Sequence, residues 1–231
     1  MRLIRAGGLL LSIAWCSCSA ATAPDEHDTN RISEEAISAF FADRLAGKTA
    51  TFAGEKTMNL WEVEQQRQWV WETWKAANEA FAEEKLIDLK PLSETSLGRW
   101  VLPENLERDA VMPYYWGTKG EGKPKDGFPL YLYLHGSGDK HQEWATGLTL
   151  CTRFDDAPSA YFIPQIPNEG EYYRWWQKAK QFAWEKLLRQ SLVSGQIDPD
   201  RMYIFGISEG GYGSQRLASF YADYLAGAGP M

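Results

Sequence analysis

Residues 91–231 predict an α/β fold: a mostly parallel sheet with flanking helices, preceded by an extra helical segment over 33–90. Two observations carry this expectation. Leu130-Tyr131-Leu132-Tyr133-Leu134 and Met202-Tyr203-Ile204-Phe205 are continuous apolar runs, the mark of strands buried on both faces. Helical spacing then recurs, first at Trp176, Ala179, Ala183 and Leu187, and later at Leu217, Phe220, Tyr221 and Tyr224. Strands that alternate with helices form a parallel sheet through crossover connections.

Residues 1–22 predict an export signal. Arg2 and Arg5 precede a short apolar run, Leu9 to Trp15, and small residues follow. The run is too short to span a bilayer. Cys16 and Cys18 lie in the cleavage region, where a bacterial lipoprotein signal would carry its lipidated cysteine; ordinary cleavage near Ala20 or Ala21 is the alternative. The expected location is the periplasm, the cell envelope or outside the cell, with the membrane reached only through a lipid on Cys16 or Cys18. Residues 23–32 are small, polar and acidic, as in a flexible tether. After processing, Cys151 is alone and can form no internal disulfide.

Ser33 predicts a helix start, because its hydroxyl can accept an amide of the first turn and Glu34 and Glu35 favour the positive end of the dipole. Ile37, Phe40, Phe41 and Leu45 form its apolar face, and Gly47 ends it. A longer helix is expected over 61–85, with Val63, Val70, Trp74, Ala77 and Phe81 as its packing stripe. Strands are expected at 96–102, 110–116, 130–134, 160–163 and 202–205, with a Gly- and Lys-rich turn over 117–127.

The length of 231 residues allows one core with a helical appendage. A net charge of −7 with scattered basic residues excludes the basic stripe of a nucleic-acid binder. The 11 Trp and 11 Tyr residues fit a large core, or a cleft lined with flat faces.

Gly206-Ile207-Ser208-Glu209-Gly210 matches GxSxG in the setting the motif needs, directly after a buried strand and before a helix. A serine on so tight a turn needs glycines at 206 and 210 to avoid collision, and the helix N-terminus beside it favours developing negative charge. Upstream, His135-Gly136-Ser137-Gly138 follows the strand ending at Leu134. Flexible backbone there can aim amides at a tetrahedral oxyanion: one donor near Gly136 or Ser137, the other from Glu209. These pieces resemble the α/β-hydrolases, and more closely the exported esterases related to poly(3-hydroxybutyrate) depolymerases and feruloyl or acetylxylan esterases. The residues that carry the resemblance are 130–138, Ile197-Asp198-Pro199-Asp200-Arg201 and 205–212. It implies a serine carboxylic-ester hydrolase with an acyl-enzyme on Ser208, without cofactor or metal, acting on a small-molecule or polymer ester.

The family's triad runs Ser, then Asp or Glu, then His. Beyond the motif itself come one acid, Asp223, and no histidine. The expectation is therefore a C-terminally truncated domain over 91–231, inactive as given. Of the histidines, His27 lies in the tether, His135 opens the oxyanion loop, and His141, in a loop with Asp139 and Glu143, could approach the cleft as a base or bind a metal but is read as a solvated histidine. Two other readings remain: a non-catalytic binding protein, with Trp144, Tyr172, Tyr173, Trp175 and Trp176 as a ligand platform, or a serine peptidase of the same fold.

Overall fold

The structure is a computed structural model that describes residues 33–52, 58–167 and 174–231. The expected export signal with Cys16 and Cys18, the expected tether with His27, and Tyr172 and Tyr173 lie outside the described residues. The chain divides into two compact units between Ala82 and Glu83.

The first unit holds α1 (Glu34–Leu45) and α2 (Leu60–Ala80). Ser33 caps α1 by accepting from the Ala36 amide at 3.1 Å, and Gly47 leaves the helix at φ 72°. Asn59 and Glu62 form a reciprocal capping box at the start of α2. The buried Thr73 and Asn78 side chains donate to carbonyls one turn back, Trp69 and Trp74, and so stay satisfied.

The second unit is built on a seven-stranded sheet. Its strands are β1 (Lys90–Pro91), β2 (Leu97–Val101), β3 (Val111–Lys119), β4 (Phe128–Leu134), β5 (Ser159–Pro164), β6 (Ile197–Gly206) and β7 (Gly227–Pro230). Their order is β1-β3-β5-β4-β6-β7, with β2 also on β3. From β5 through β7 all pairings are parallel; β3 runs against β5, and β2 against β3. This is the mostly parallel, helix-flanked sheet that the sequence predicts.

Pleating sorts the apolar runs onto two faces. Leu130, Leu132 and Leu134, with Ala160, Phe162, Met202 and Ile204, pack against α4 (Lys178–Val193) and α5 (Glu209–Phe220) through Ala183, Trp184, Leu187 and Leu217. Tyr133, Tyr161 and Ile163 face the other way, onto Leu148 and Cys151 of α3 (Lys140–Arg153). Connectivity explains the split. The chain moves from β4 to β5 in one direction and from β5 to β6 to β7 in the other, so right-handed crossovers put α3 on one face and α4 and α5 on the opposite one. The sheet therefore has a switch point beside β4, and the crevice beyond the carboxyl ends of its strands is where such sheets bind ligands.

Three expectations are corrected. The segment 139–143 is not a loop: Asp139 caps α3 by accepting from the Gln142 amide at 2.9 Å, which makes His141 and Glu143 helical. The strand β3 runs on through Lys119 into the expected turn, which is left to positive-φ glycines at 120, 122 and 127. The helix expected over 61–85 stops at Ala80, because the chain after it is held by α4 instead. Arg189 makes a bidentate pair with Glu83 at 2.9 and 3.0 Å. Gln190 donates to the Glu84 carbonyl and accepts from the Leu86 amide. Leu86, Ile87 and Leu89 then pack on the core.

Burial pushes the Glu83 carboxyl up, but hydrogen bonds from Arg189 and Gln190 and the nearby cations outweigh it, and the group lies below its ordinary value of 4.5. A carboxyl depressed on folding contributes stability above its unfolded value and loses it as pH falls through the folded one. Urea titrations should therefore show Glu83→Gln losing less stability than the parent chain on going from about pH 5 to about pH 3.

Candidate active site

The ends of β4 and β6 are neighbours, with Leu134 opposite Gly206. The Ile207 amide donates to the Leu134 carbonyl at 3.3 Å, and the chain then reverses sharply into α5. Ser208 sits on that reversal at φ 53° and ψ −115°. A non-glycine residue in such a region costs about 1–3 kcal/mol and persists only where its surroundings over-determine it. Serine at a helix N-cap ordinarily turns its hydroxyl onto the first-turn amides. Ser208 occupies that position and makes no side-chain capping bond, and the residue is exposed.

The surroundings that hold it are backbone. A Cβ on residue 210 would lie 2.0 Å from the Leu134 oxygen and 2.8 Å from the His135 oxygen. One on residue 206 would lie 2.4 Å from the Gly210 oxygen. Both elbow glycines are therefore required by packing as well as by turn geometry. On the other side of the turn, the Ser208 amide donates to the Met231 carbonyl at 2.8 Å, which ties the elbow to the end of β7.

The loop after β4 lies directly against this turn. The point where a Cβ would sit on Gly136 is 3.3 Å from the Ile207 oxygen and 3.5 Å from Ser208 Cβ. The structure thus brings Gly136, Ser208 and Glu209 together, with Ser137 following as an exposed residue. Glu209 opens α5, so its amide is one of the N-terminal donors that have no acceptor within the helix.

His135 fastens the loop. It is fully buried; its Nδ1 donates to the Gly136 carbonyl at 2.7 Å, and its Nε2 accepts from the Ile166 amide at 3.1 Å. That pattern fixes the neutral Nδ1–H tautomer and commits both ring nitrogens to the backbone. His141 is exposed, with Nδ1 3.0 Å from Gln165 Nε2. Among the described residues no group of three His, Cys, Asp or Glu side chains could hold a metal ion.

The aromatic residues near the site are already engaged. Trp175 is buried: its Nε1 donates to the His135 carbonyl at 3.0 Å, and its side chain fills the space beside Gly213. Trp144 stacks on Tyr115 at 4.1 Å and donates to the Ile163 carbonyl. Trp176 has Arg216 over its ring at 5.6 Å.

Two charged residues of the site were not legible as such. Arg174 Nε stands 3.6 Å from the Glu209 carboxylate. Burial raises the Glu209 carboxyl above its ordinary value, and the Arg174 charge opposes that rise. Glu143 reaches back from α3 along the Gly136–Gly138 loop. Its capping signal, an Asp four residues earlier, was present in the sequence; the partnership of Arg174 and Glu209, 35 positions apart, had no local signal.

No protein-family model matches the chain, and no curated protein sequence does. Among solved structures, it is similar to a thermostable esterase at 21% identity and a TM-score of 0.43, over 59% of this chain and 40% of that one. It is similar to an acetyl xylan esterase from Aspergillus awamori at 13% identity and 0.41, over 58% and 50%. A third is the BES protein from Bacillus cereus at 14% and 0.43, over 64% of each. The chain thus spans less than two thirds of the length of each.

Gly210→Ala should lower stability by about 3 kcal/mol in urea denaturation, because a backbone crossing cannot yield to a methyl group. Gly227→Ala is the control: its Cβ would meet nothing nearer than 3.4 Å, and the change should stay within about 1 kcal/mol.

Proposed function

We propose that this chain carries the nucleophile and the oxyanion hole of an exported serine carboxylic-ester hydrolase of the α/β-hydrolase type. The single observation that carries the reading is the backbone of Ser208: a strained, exposed serine on a strand-to-helix turn, with its hydroxyl withheld from capping. Export rests on the sequence of residues 1–22 alone.

In this reading Ser208 Oγ attacks the ester carbonyl carbon. An Oγ–C bond forms, the bond to the leaving alkoxide breaks, and the hydroxyl proton ends on the leaving oxygen. The carbonyl oxygen becomes an oxyanion between the Glu209 amide and an amide of the Gly136–Ser137 loop, at the positive end of α5. His135 supports the loop; it is not the base, because its Nε2 lone pair is taken by the Ile166 amide. No residue of this chain is assigned as the triad's base or acid.

The test is covalent. After incubation with p-nitrophenyl acetate, peptide mass spectrometry should find an acetyl group on the peptide containing Ser208, and Ser208→Ala should reduce it to background. Acetylation confined to other residues, or unchanged in Ser208→Ala, would sink the assignment.

A further inference from the structure

We propose that Glu143 sets the charge selectivity of this site: its carboxylate favours esters with a cationic or neutral group beside the scissile bond and disfavours esters that carry an anion there. The inference rests on Ser208 being the nucleophile.

The argument starts from how the carboxylate is seated. The first turn of α3 is fixed twice at Asp139, whose side chain accepts from Gln142 and whose carbonyl accepts from the Glu143 amide at 2.9 Å. From there the Glu143 side chain lies flat on the loop after β4. A Cβ on residue 138 would lie 2.6 Å from Oε1, 2.8 Å from Cγ and 3.0 Å from Cδ. A Cβ on residue 136 would lie 3.4 Å from Oε2, and that same point is 3.5 Å from Ser208 Cβ. Two glycines thus leave a cradle that the carboxylate occupies, and the distances from the Gly136 point put Oε2 within about 7 Å of Ser208 Cβ. Any side chain at 138 would displace it.

The charge balance around Ser208 then decides the sign. Glu209 has Arg174 as its counter-ion. Lys140, on the same turn as Glu143, donates to the Pro167 carbonyl at 3.0 Å. His141 faces Gln165. Among the described residues Glu143 has no ion-pair partner, whereas Glu209 has one. A carboxylate beside oxyanion donors opposes the developing oxyanion of every ester alike. What differs between esters is the charge of the group next to the carbonyl, and discrimination of this kind comes from a repulsive element as much as from an attractive one.

The experiment uses three activated esters on the full chain: p-nitrophenyl acetate, its anionic hemisuccinate counterpart and its cationic trimethylammonioacetate counterpart. In each, Ser208 Oγ gains the acyl group, p-nitrophenolate leaves, and the serine proton passes to solvent. Phenolate release is followed at low ionic strength, with acylation of Ser208 checked by mass, in the parent chain and in Glu143→Gln. Comparing the two proteins cancels the intrinsic reactivity of each ester. Glu143→Gln should raise the anionic-to-cationic rate ratio about tenfold, and added salt should shrink the difference. Glu143→Asp keeps the charge and should keep most of the selectivity. An unchanged ratio in Glu143→Gln with Ser208 acylated overturns this inference alone, as does a Glu143→Asp variant that behaves like Glu143→Gln. Acylation by the neutral ester confined to residues other than Ser208 overturns the nucleophile assignment, and this inference with it.

Discussion

Helix α5 starts where β4 ends, and the two backbones meet with no side chain between them. At residue 210 even one methyl group would stand 2.0 Å from the Leu134 oxygen. Much of the site follows from that approach. It brings the loop after β4 against the loop after β6, so that Gly136 faces the side of Ser208. It sets the N-terminus of α5, with the Glu209 amide that has no acceptor within the helix, beside the serine. It also leaves the chain at 208 no relaxed conformation in which to turn, so strain appears at the residue that carries the hydroxyl.

A second set of contacts keeps this arrangement from spreading apart. Trp184 on α4 donates to the Trp175 carbonyl at 2.8 Å, Trp175 donates to the His135 carbonyl, and His135 is bonded on both ring nitrogens. The three rings are buried and lie edge or tilted against one another. Each polar edge in the sequence meets a backbone group, so the chain of donors crosses the core without an orphaned atom at these links. The tryptophan content noted in the sequence is, near the site, fastening for the loop after β4. Below it the Asp-Pro-x-Arg segment closes the other end of β6: Arg201 binds Asp198 at 2.6 Å and the Gly127 carbonyl at 3.2 Å.

Legibility followed the range of the forces involved. The buried strands could be read because full burial leaves a continuous apolar run, and the elbow could be read because a tight turn admits few residues at 206 and 210. Helix α3 could have been found from Asp139 and from Trp144, Leu148 and Cys151 at helical spacing, but the glycines before it read as loop. The early end of α2 had no local cause to find. Glu83, Glu84 and Lys85 are good helix formers, and Glu83 and Glu84 are held out of the helix by Arg189 and Gln190, more than 100 positions away. The charges of the site were hidden for the same reason. Glu143 and Arg174 acquire meaning only when α3 and the start of α4 are folded over one end of the sheet.

The strained turn at residue 208 has a further consequence for how such a chain can change. Glycine fits a positive φ without a steric penalty, so the substitution that removes the hydroxyl also relaxes the fold. Durability and reactivity pull in opposite directions at this one position. On the proposed reading, a lineage released from the need for the reaction would gain by losing the serine first, ahead of the glycines around it, whose replacement costs structure whether or not any chemistry is done.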